Sequence, residues 1–65
     1  MNIYLNGVVK NVTSSNIDQL LREVGVAGRF IAVTKNSAIV KKSSWGETSL
    51  EEDDKIDIIS LVGGG

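Results

Sequence analysis

Residues 13–25, TSSNIDQLLREVG, decide the fold. Their apolar side chains recur at positions i, i+3, i+4 and i+7, which is one face of an α-helix, and are Ile17, Leu20, Leu21 and Val24. Ser15 is the predicted N-cap, and Asp18 stands in the first turn, where an acidic residue favours the helix N-terminus. Gly25 is predicted to end the helix in the left-handed conformation. A helix with one apolar face needs a sheet to cover it.

Strand patterns lie on both sides of this helix. In residues 2–12, NIYLNGVVKNV, two runs flank Asn6-Gly7, a pair that suits the positive φ angles of a two-residue hairpin turn. After the helix, RFIAVTK is a third predicted strand, and Asn36-Ser37 turns the chain into a short fourth one, AIV. The most apolar strand comes last, in residues 56–62, IDIISLV. We expect it in the middle of the sheet.

Residues 41–55 connect the fourth strand to the last. KKSSWGETSL is predicted to be a loop anchored by Trp45, with a short strand toward Leu50. Burial as a cover over the core is favoured for Trp45 over stacking on a ligand. The following EEDDK, residues 51–55, is predicted to be a solvated charged turn whose acidic side chains steer docking onto a basic partner.

The order β-β-α-β-β-β predicts an α+β protein of the β-grasp type. We expect a mixed sheet of four to five strands with one helix packed across one face. Residues 1–65 are expected to form a single domain, because no linker, repeat or composition shift divides the 65 residues. The face of the sheet away from the helix is then open to solvent.

Alternation along the last strand predicts which side chains face outward. If Ile56 and Ile58 face the helix, then Ile59 and Leu61 point away from it. The same reasoning places Tyr4 of the first strand on the outer face. Tyr4, Ile59 and Leu61 are therefore the predicted partner-docking patch beside the C-terminal end. The alternative is a curved sheet whose edge loops cover these side chains.

Composition narrows the classes of function. The sequence contains no Cys and no His, which leaves no disulfide, no zinc cluster and no thiol or imidazole catalyst, so we expect neither a bound metal nor an enzyme. Net charge is −1, so no broad basic face is available for nucleic acid. No apolar run has the length of a membrane span, and the N-terminus is unlike a signal peptide. We expect a cytoplasmic protein that is a monomer when free.

The chain ends in Gly63, Gly64 and Gly65, directly after the last strand. Glycine contributes no side chain to packing and loses the most conformational freedom on folding. Three extended residues reach roughly 10 Å, which is long enough to pass through a narrow channel and present a carboxylate to a partner's active site. We expect residues 63–65 to be a flexible tail of this kind. The alternative is a terminus without a role.

Taken in order, these motifs resemble the sulfur carrier proteins of thiamin biosynthesis, the ThiS/MoaD branch of the ubiquitin-like proteins. The resemblance covers essentially the whole chain: LNG in the first strand, IDQLLREV in the helix, AVTKNSAIVKKSSW up to Trp45, EEDDKIDII, and the glycine end. The family is usually described by two terminal glycines, whereas this chain has three. The added Gly63 leaves the chemistry of the end intact.

The resemblance implies a cycle at Gly65 in which the chain is a substrate of other enzymes. An E1-like adenylating enzyme of the ThiF type would use ATP to adenylate the carboxylate. A sulfur donor, typically a persulfide from a cysteine desulfurase, would convert it to a thiocarboxylate. A thiazole synthase of the ThiG type would take the sulfur. No cofactor would be bound by the chain itself.

Two alternatives share the activation chemistry. One is a MoaD-like carrier, the small subunit of molybdopterin synthase, and the other is a ubiquitin-like modifier joined to target lysines.

Overall fold

The computed structural model describes residues 1–26 and 30–61. The predicted tail at Gly63, Gly64 and Gly65 lies outside these residues, as does Val62 at the end of the predicted last strand. The described elements are, in chain order, β1 (Asn2–Leu5), β2 (Val8–Asn11), α1 (Ile17–Glu23), β3 (Ile31–Lys35), β4 (Ala38–Val40), a 3₁₀ helix (Lys42–Glu47) and β5 (Lys55–Ser60).

The strands form one five-stranded sheet in the order β2-β1-β5-β3-β4. The last strand, β5, is central: it runs parallel to β1 and antiparallel to β3. Hairpins at β1–β2 and β3–β4 complete the two sides of the sheet. This mixed sheet with α1 across one face confirms the predicted α+β, β-grasp architecture. The face opposite α1 is called the open face below.

Both hairpin turns depend on positive φ angles at two consecutive residues. Asn6 and Gly7 have φ angles of 50° and 83°, and Asn36 and Ser37 have φ angles of 50° and 75°. These values are typical of the type I′ turn, whose twist matches that of the flanking strands. Asn tolerates this conformation better than most residues, and Gly adopts it without strain. Both turns lie where the sequence predicts them.

The core lies between α1 and the sheet. All three apolar residues that the helix buries, Ile17, Leu20 and Leu21, belong to the predicted face. They pack against the helix-facing side chains of β1, β3 and β5, which are Ile3, Val33 and Ile56. Val24 is half-buried against the same cluster. Gly25 has a φ of 81°, as predicted for a left-handed residue after the helix.

The helix begins one residue later than predicted. Asn16, and not Ser15, is the N-cap: its side-chain oxygen accepts a hydrogen bond of 2.8 Å from the backbone N–H of Gln19. The Gln19 side chain reaches back in turn and accepts from both the backbone N–H and the hydroxyl of Ser15, each at 2.9 Å. Ser15 therefore supports the cap from the preceding position, since its hydroxyl is engaged with Gln19.

The segment between β4 and β5 differs from its prediction. Lys42–Glu47 forms a 3₁₀ helix where a loop was expected, and the chain near Leu50 makes one isolated bridge between Ser49 and Asn16 instead of a strand. Trp45 is buried, and its indole N–H donates a 3.0 Å hydrogen bond to the carbonyl of Val40. Its predicted role as a cover over the core is confirmed, and its burial holds the 3₁₀ turn against the domain.

The acidic turn is not uniformly solvated, because Asp54 is buried. Its carboxylate accepts hydrogen bonds from the backbone N–H of Glu51 and the side chain of Asn36, and it lies 3.5 Å from the Lys35 ammonium. Burial raises the pKa of Asp54, but the hydrogen bonds from Asn36 and Glu51 and the charge of Lys35 outweigh it, and the net pKa is lowered. Asp54 thus joins the turn before β5 to the β3–β4 hairpin.

Candidate functional site

The candidate site lies on the open face at the C-terminal end of β5. Ile59 pairs with Ala32 of β3, and the backbone N–H of Leu61 donates a 2.9 Å hydrogen bond to the carbonyl of Phe30. The pairing of β3 and β5 therefore continues one step beyond both strands. Phe30, Ile59 and Leu61 are 76%, 54% and 64% exposed, and together they are called the terminal patch. Three large apolar side chains exposed next to one another on a small domain are typical of a protein-binding surface.

Phe30 is the residue that the sequence analysis missed. Alternation along β3 places it on the same face as Ala32, which the sequence already indicates. Its neighbour on β5, however, depends on the register between β3 and β5. In that register Ile31 lies opposite Ser60, nearly thirty residues later in the chain. Nothing in the local sequence specifies that register, so only the structure places Phe30 beside Leu61.

Tyr4 is exposed on the same open face but does not join the terminal patch. In the parallel pairing of β1 and β5 it lies opposite Lys55, four residues before Ile59. That separation corresponds to roughly 13 Å along the strand. Tyr4 instead lines a shallow depression of about 210 Å³ together with Gly7, Lys55 and Asp57. The structure brings together two of the three predicted docking residues and places the third further along the same face.

A second hollow lies behind the terminal patch, on the helix side of the same strand end. It has a volume of about 310 Å³, and its lining includes Leu5, Val24, Val26, Ile31 and Ile58. These apolar side chains are only partly buried against the core. The end of β5 from which the glycines follow is therefore bordered by apolar surface on both faces of the sheet.

The acidic turn that precedes β5 lies at the other end of that strand from the terminal patch. Glu51, Glu52 and Asp53 are exposed and precede Lys55, the first residue of the strand. The backbone N–H of Asp53 donates a 2.8 Å hydrogen bond to the carbonyl of Asn2, so this turn is held at the start of β1 as well. Lys55, the residue after the turn, precedes Ile59 of the terminal patch by four residues, or roughly 13 Å along the strand. The acidic turn does not border the patch, which contains no ionisable side chain.

Within residues 1–26 and 30–61, no three His, Cys, Asp or Glu side chains are grouped so that they could hold a metal ion. The pKa of the exposed Glu23 carboxylate is lowered, because the hydroxyl of Ser14 donates to it and the backbone N–H groups of Thr13 and Ser14 add to the effect. That contact ties α1 to the loop before it, on the side away from the patch. In the same described part of the chain, no helix is long and apolar enough to cross a membrane.

The fold defines the class: a ubiquitin-like β-grasp protein, with an exposed apolar patch on the open face at the end of its central strand. The ThiS family model matches residues 3–65. The chain therefore belongs to the ThiS family.

The chain is also similar to individual proteins of thiamin biosynthesis. A crystal structure of the thiamine biosynthesis protein ThiS from Geobacter metallireducens superposes with a TM-score of 0.86 at 25% identity, and the alignment covers 100% of both chains. A thiazole synthase from Paramagnetospirillum magneticum is 38% identical across 100% of this chain, and one from Magnetococcus marinus is 36% identical across the same extent. This chain spans 20% of the length of each of these two thiazole synthases.

Proposed function

We propose that this chain is a sulfur carrier that supplies the sulfur of the thiazole ring in thiamin biosynthesis. The sulfur is carried on the C-terminal acyl group of Gly65. The observation that carries the proposal is the match to the ThiS family, because it runs through residue 65 and so includes the glycines. The similarity to a ThiS protein over the full length of both chains supports it further.

The chemistry starts from a poor electrophile. A carboxylate does not accept a sulfur nucleophile until one of its oxygens becomes part of a good leaving group. An E1-like partner of the ThiF type therefore transfers AMP from ATP to the Gly65 carboxylate and releases pyrophosphate. The terminal sulfur of a persulfide attacks the acyl carbon, and AMP leaves. A thiol then attacks the donor sulfur of the acyl disulfide and forms a new disulfide with it, and the acyl sulfur leaves with the chain as the thiocarboxylate.

The chain acts in this cycle as a substrate and not as an enzyme. It has no Cys, so it cannot hold sulfur as a persulfide of its own. The sulfur is therefore carried on the acyl carbon of Gly65. ATP is bound by the activating partner, and the persulfide comes from a cysteine desulfurase or another sulfur donor. Gly63 and Gly64 extend Gly65 into the partner's active site, where a side chain would widen the segment that has to enter.

Thiazole synthase, the ThiG type, is the proposed acceptor of the sulfur. Two thiazole synthases each contain a segment similar to this entire chain, so a carrier-like segment and a synthase of this name occur within one polypeptide. This favours the thiamin branch over a molybdopterin synthase subunit. We assign docking of both partners to the terminal patch, Phe30, Ile59 and Leu61, with Tyr4 as a second contact further along the open face.

The test is intact-mass spectrometry of the chain after incubation with a ThiF-type adenylating enzyme, ATP, a cysteine desulfurase and cysteine. We expect a gain in mass that corresponds to replacement of one oxygen by sulfur, located in a C-terminal fragment that contains Gly65. The reaction without ATP is the control and should give no gain. Higher-mass conjugates with other proteins in place of this product would contradict the carrier function and indicate a modifier.

A further inference from the structure

Asn6 makes an unusual contact with the last strand. Its backbone N–H donates a 2.9 Å hydrogen bond to the carbonyl of Ile56, and its side-chain oxygen accepts a 2.8 Å hydrogen bond from the backbone N–H of Ile58. One residue at the tip of the β1–β2 hairpin is therefore bonded to β5 at two points, once through its backbone and once through its side chain. Asn6 and Ile58 are 52 positions apart in the chain.

The parallel ladder explains why a side chain is needed at this point. Tyr4 lies opposite Lys55, and its N–H donates to the carbonyl of Asp54. In a parallel pair, the next residue of β1 that faces β5 donates to Ile56 and then accepts from Ile58 through its own carbonyl. That residue is Asn6, but its backbone has turned into the left-handed conformation, with a φ of 50°. The side-chain oxygen takes the place that the backbone carbonyl would have held.

This contact lies next to the terminal patch. Beyond Ile58, the backbone of β5 continues through Ile59 to Leu61, with β3 along one side up to the bond between Leu61 and Phe30. On the β1 side, the ladder pairs Leu5 with Ile56, and Asn6 extends the contact along β5 as far as Ile58. The backbone of β5 is thus held on one side by β3, up to Leu61, and on the other side by the Asn6 carboxamide at Ile58.

We propose that Asn6 is a positioning residue for docking: its side-chain oxygen holds β5 at Ile58 so that the terminal patch meets the partner in one orientation. This inference rests on the proposed function. Without the bond, the last residues of β5 gain freedom that has to be lost again on docking. The effect belongs to the affinity for the partner and not to the chemistry on Gly65, because the Asn6 side chain bonds to the backbone of Ile58 in β5.

The experiment compares two substitutions of the same residue. Asn6→Gly keeps the left-handed turn and removes the acceptor, whereas Asn6→Asp keeps an acceptor oxygen and a residue type that tolerates this turn. Ser37→Gly is the matched control, since it introduces glycine at a positive φ of 75° in the other hairpin turn. The readouts are amide hydrogen exchange at Ile58 and the kinetics of ATP–pyrophosphate exchange by a ThiF-type enzyme as the carrier concentration is varied.

For Asn6→Gly we expect faster exchange at Ile58 and a KM about three- to tenfold higher with kcat unchanged, because a hydrogen bond of this kind contributes about 1 kcal/mol. Asn6→Asp should restore both, and Ser37→Gly should change neither. Unchanged exchange at Ile58 in Asn6→Gly would disprove the bond, and faster exchange with an unchanged KM would disprove its role in docking. If the unaltered chain is not adenylated at all, the proposed function fails, while the exchange measurement still decides whether Asn6 orders β5.

Discussion

At the scale of single residues, Leu61 separates docking from stability. It is 64% exposed on the open face, so Leu61→Asp removes little buried apolar surface, and we expect a change below about 0.5 kcal/mol in the free energy of unfolding. A charge in the middle of an apolar contact should lower the affinity for the adenylating enzyme about tenfold or more. Titration calorimetry with that enzyme measures the affinity, and urea denaturation measures the stability.

Ile39 provides the matched control for this substitution. It is 77% exposed, lies on the same open face opposite Thr34, and belongs to the edge strand β4, away from the terminal patch. Ile39→Asp should leave the affinity for the enzyme nearly unchanged. An equal loss of affinity in both variants would show that the whole face binds without a focus, and a large loss of stability in Leu61→Asp would show that Leu61 belongs to the core.

Asp54 makes the stability of the domain dependent on acid. Its pKa in the folded protein is below its ordinary value of 3.8. A lowered pKa stabilises the fold fully above the pKa of the unfolded chain, and that stabilisation is lost as the pH falls through the pKa of the folded protein. The advantage of the original protein over Asp54→Asn in urea denaturation should therefore be constant near pH 6 and shrink below about pH 3.8.

Glu23 also has a lowered pKa, but it titrates in both proteins and largely cancels in this comparison. Asp53→Asn serves as the control for net charge, because Asp53 is exposed and Asn tolerates its positive φ of 68°. An advantage over Asp54→Asn that stays constant down to pH 2 would mean that the Asp54 carboxylate does not stabilise the fold through its charge.

At the scale of elements, the N-terminus of α1 depends on Asn16. We expect Asn16→Ala to lower the free energy of unfolding by about 1 kcal/mol, because the Gln19 N–H loses its acceptor at the helix end. Ser15→Ala should have a smaller effect, below about 0.5 kcal/mol, since the backbone N–H of Ser15 still donates to the Gln19 side chain. Urea denaturation of the two variants decides the matter, and a larger loss in Ser15→Ala would restore Ser15 as the cap.

The elements that the sequence predicts well are those with local signals. The two hairpin turns follow from Asn-Gly and Asn-Ser, and the faces of β5 follow from the alternation of Ile56 to Leu61. These features need only a few consecutive residues. The sequence missed the 3₁₀ helix because its conformation depends on where Trp45 packs, and it missed the helix start by one residue because Ser15 and Asn16 are both good capping residues.

At the scale of the whole molecule, what the sequence could not supply is strand register and long-range pairing. The partners of the buried Asp54 carboxylate, Lys35 and Asn36, belong to the β3–β4 hairpin, which is distant from Asp54 in the chain. The place of Phe30 beside Leu61 requires the register of β3 on β5, and the distance of Tyr4 from Ile59 requires the register of β1 on β5. Two of the three residues of the terminal patch, Ile59 and Leu61, therefore follow from alternation, and Phe30 emerges only when the sheet is assembled.

The proposed function divides the chain into a folded domain and a reactive end, and this division predicts the effect of removing the glycines. Every fully buried apolar side chain in the described residues lies between Ile3 and Ile56, so the buried core is complete before the chain reaches Ile59. A chain that lacks residues 63–65 should melt within about 3 °C of the full chain, because the expected change in stability is below about 0.5 kcal/mol. The same chain should give no thiocarboxylate, since the carboxylate then stands three residues closer to the sheet and falls short of the partner's adenylation site.

Calorimetry and intact-mass spectrometry test the two expectations separately. A large fall in melting temperature would make the glycines part of the fold, and sulfur incorporation by the shortened chain would mean that Gly65 is not the carrier end.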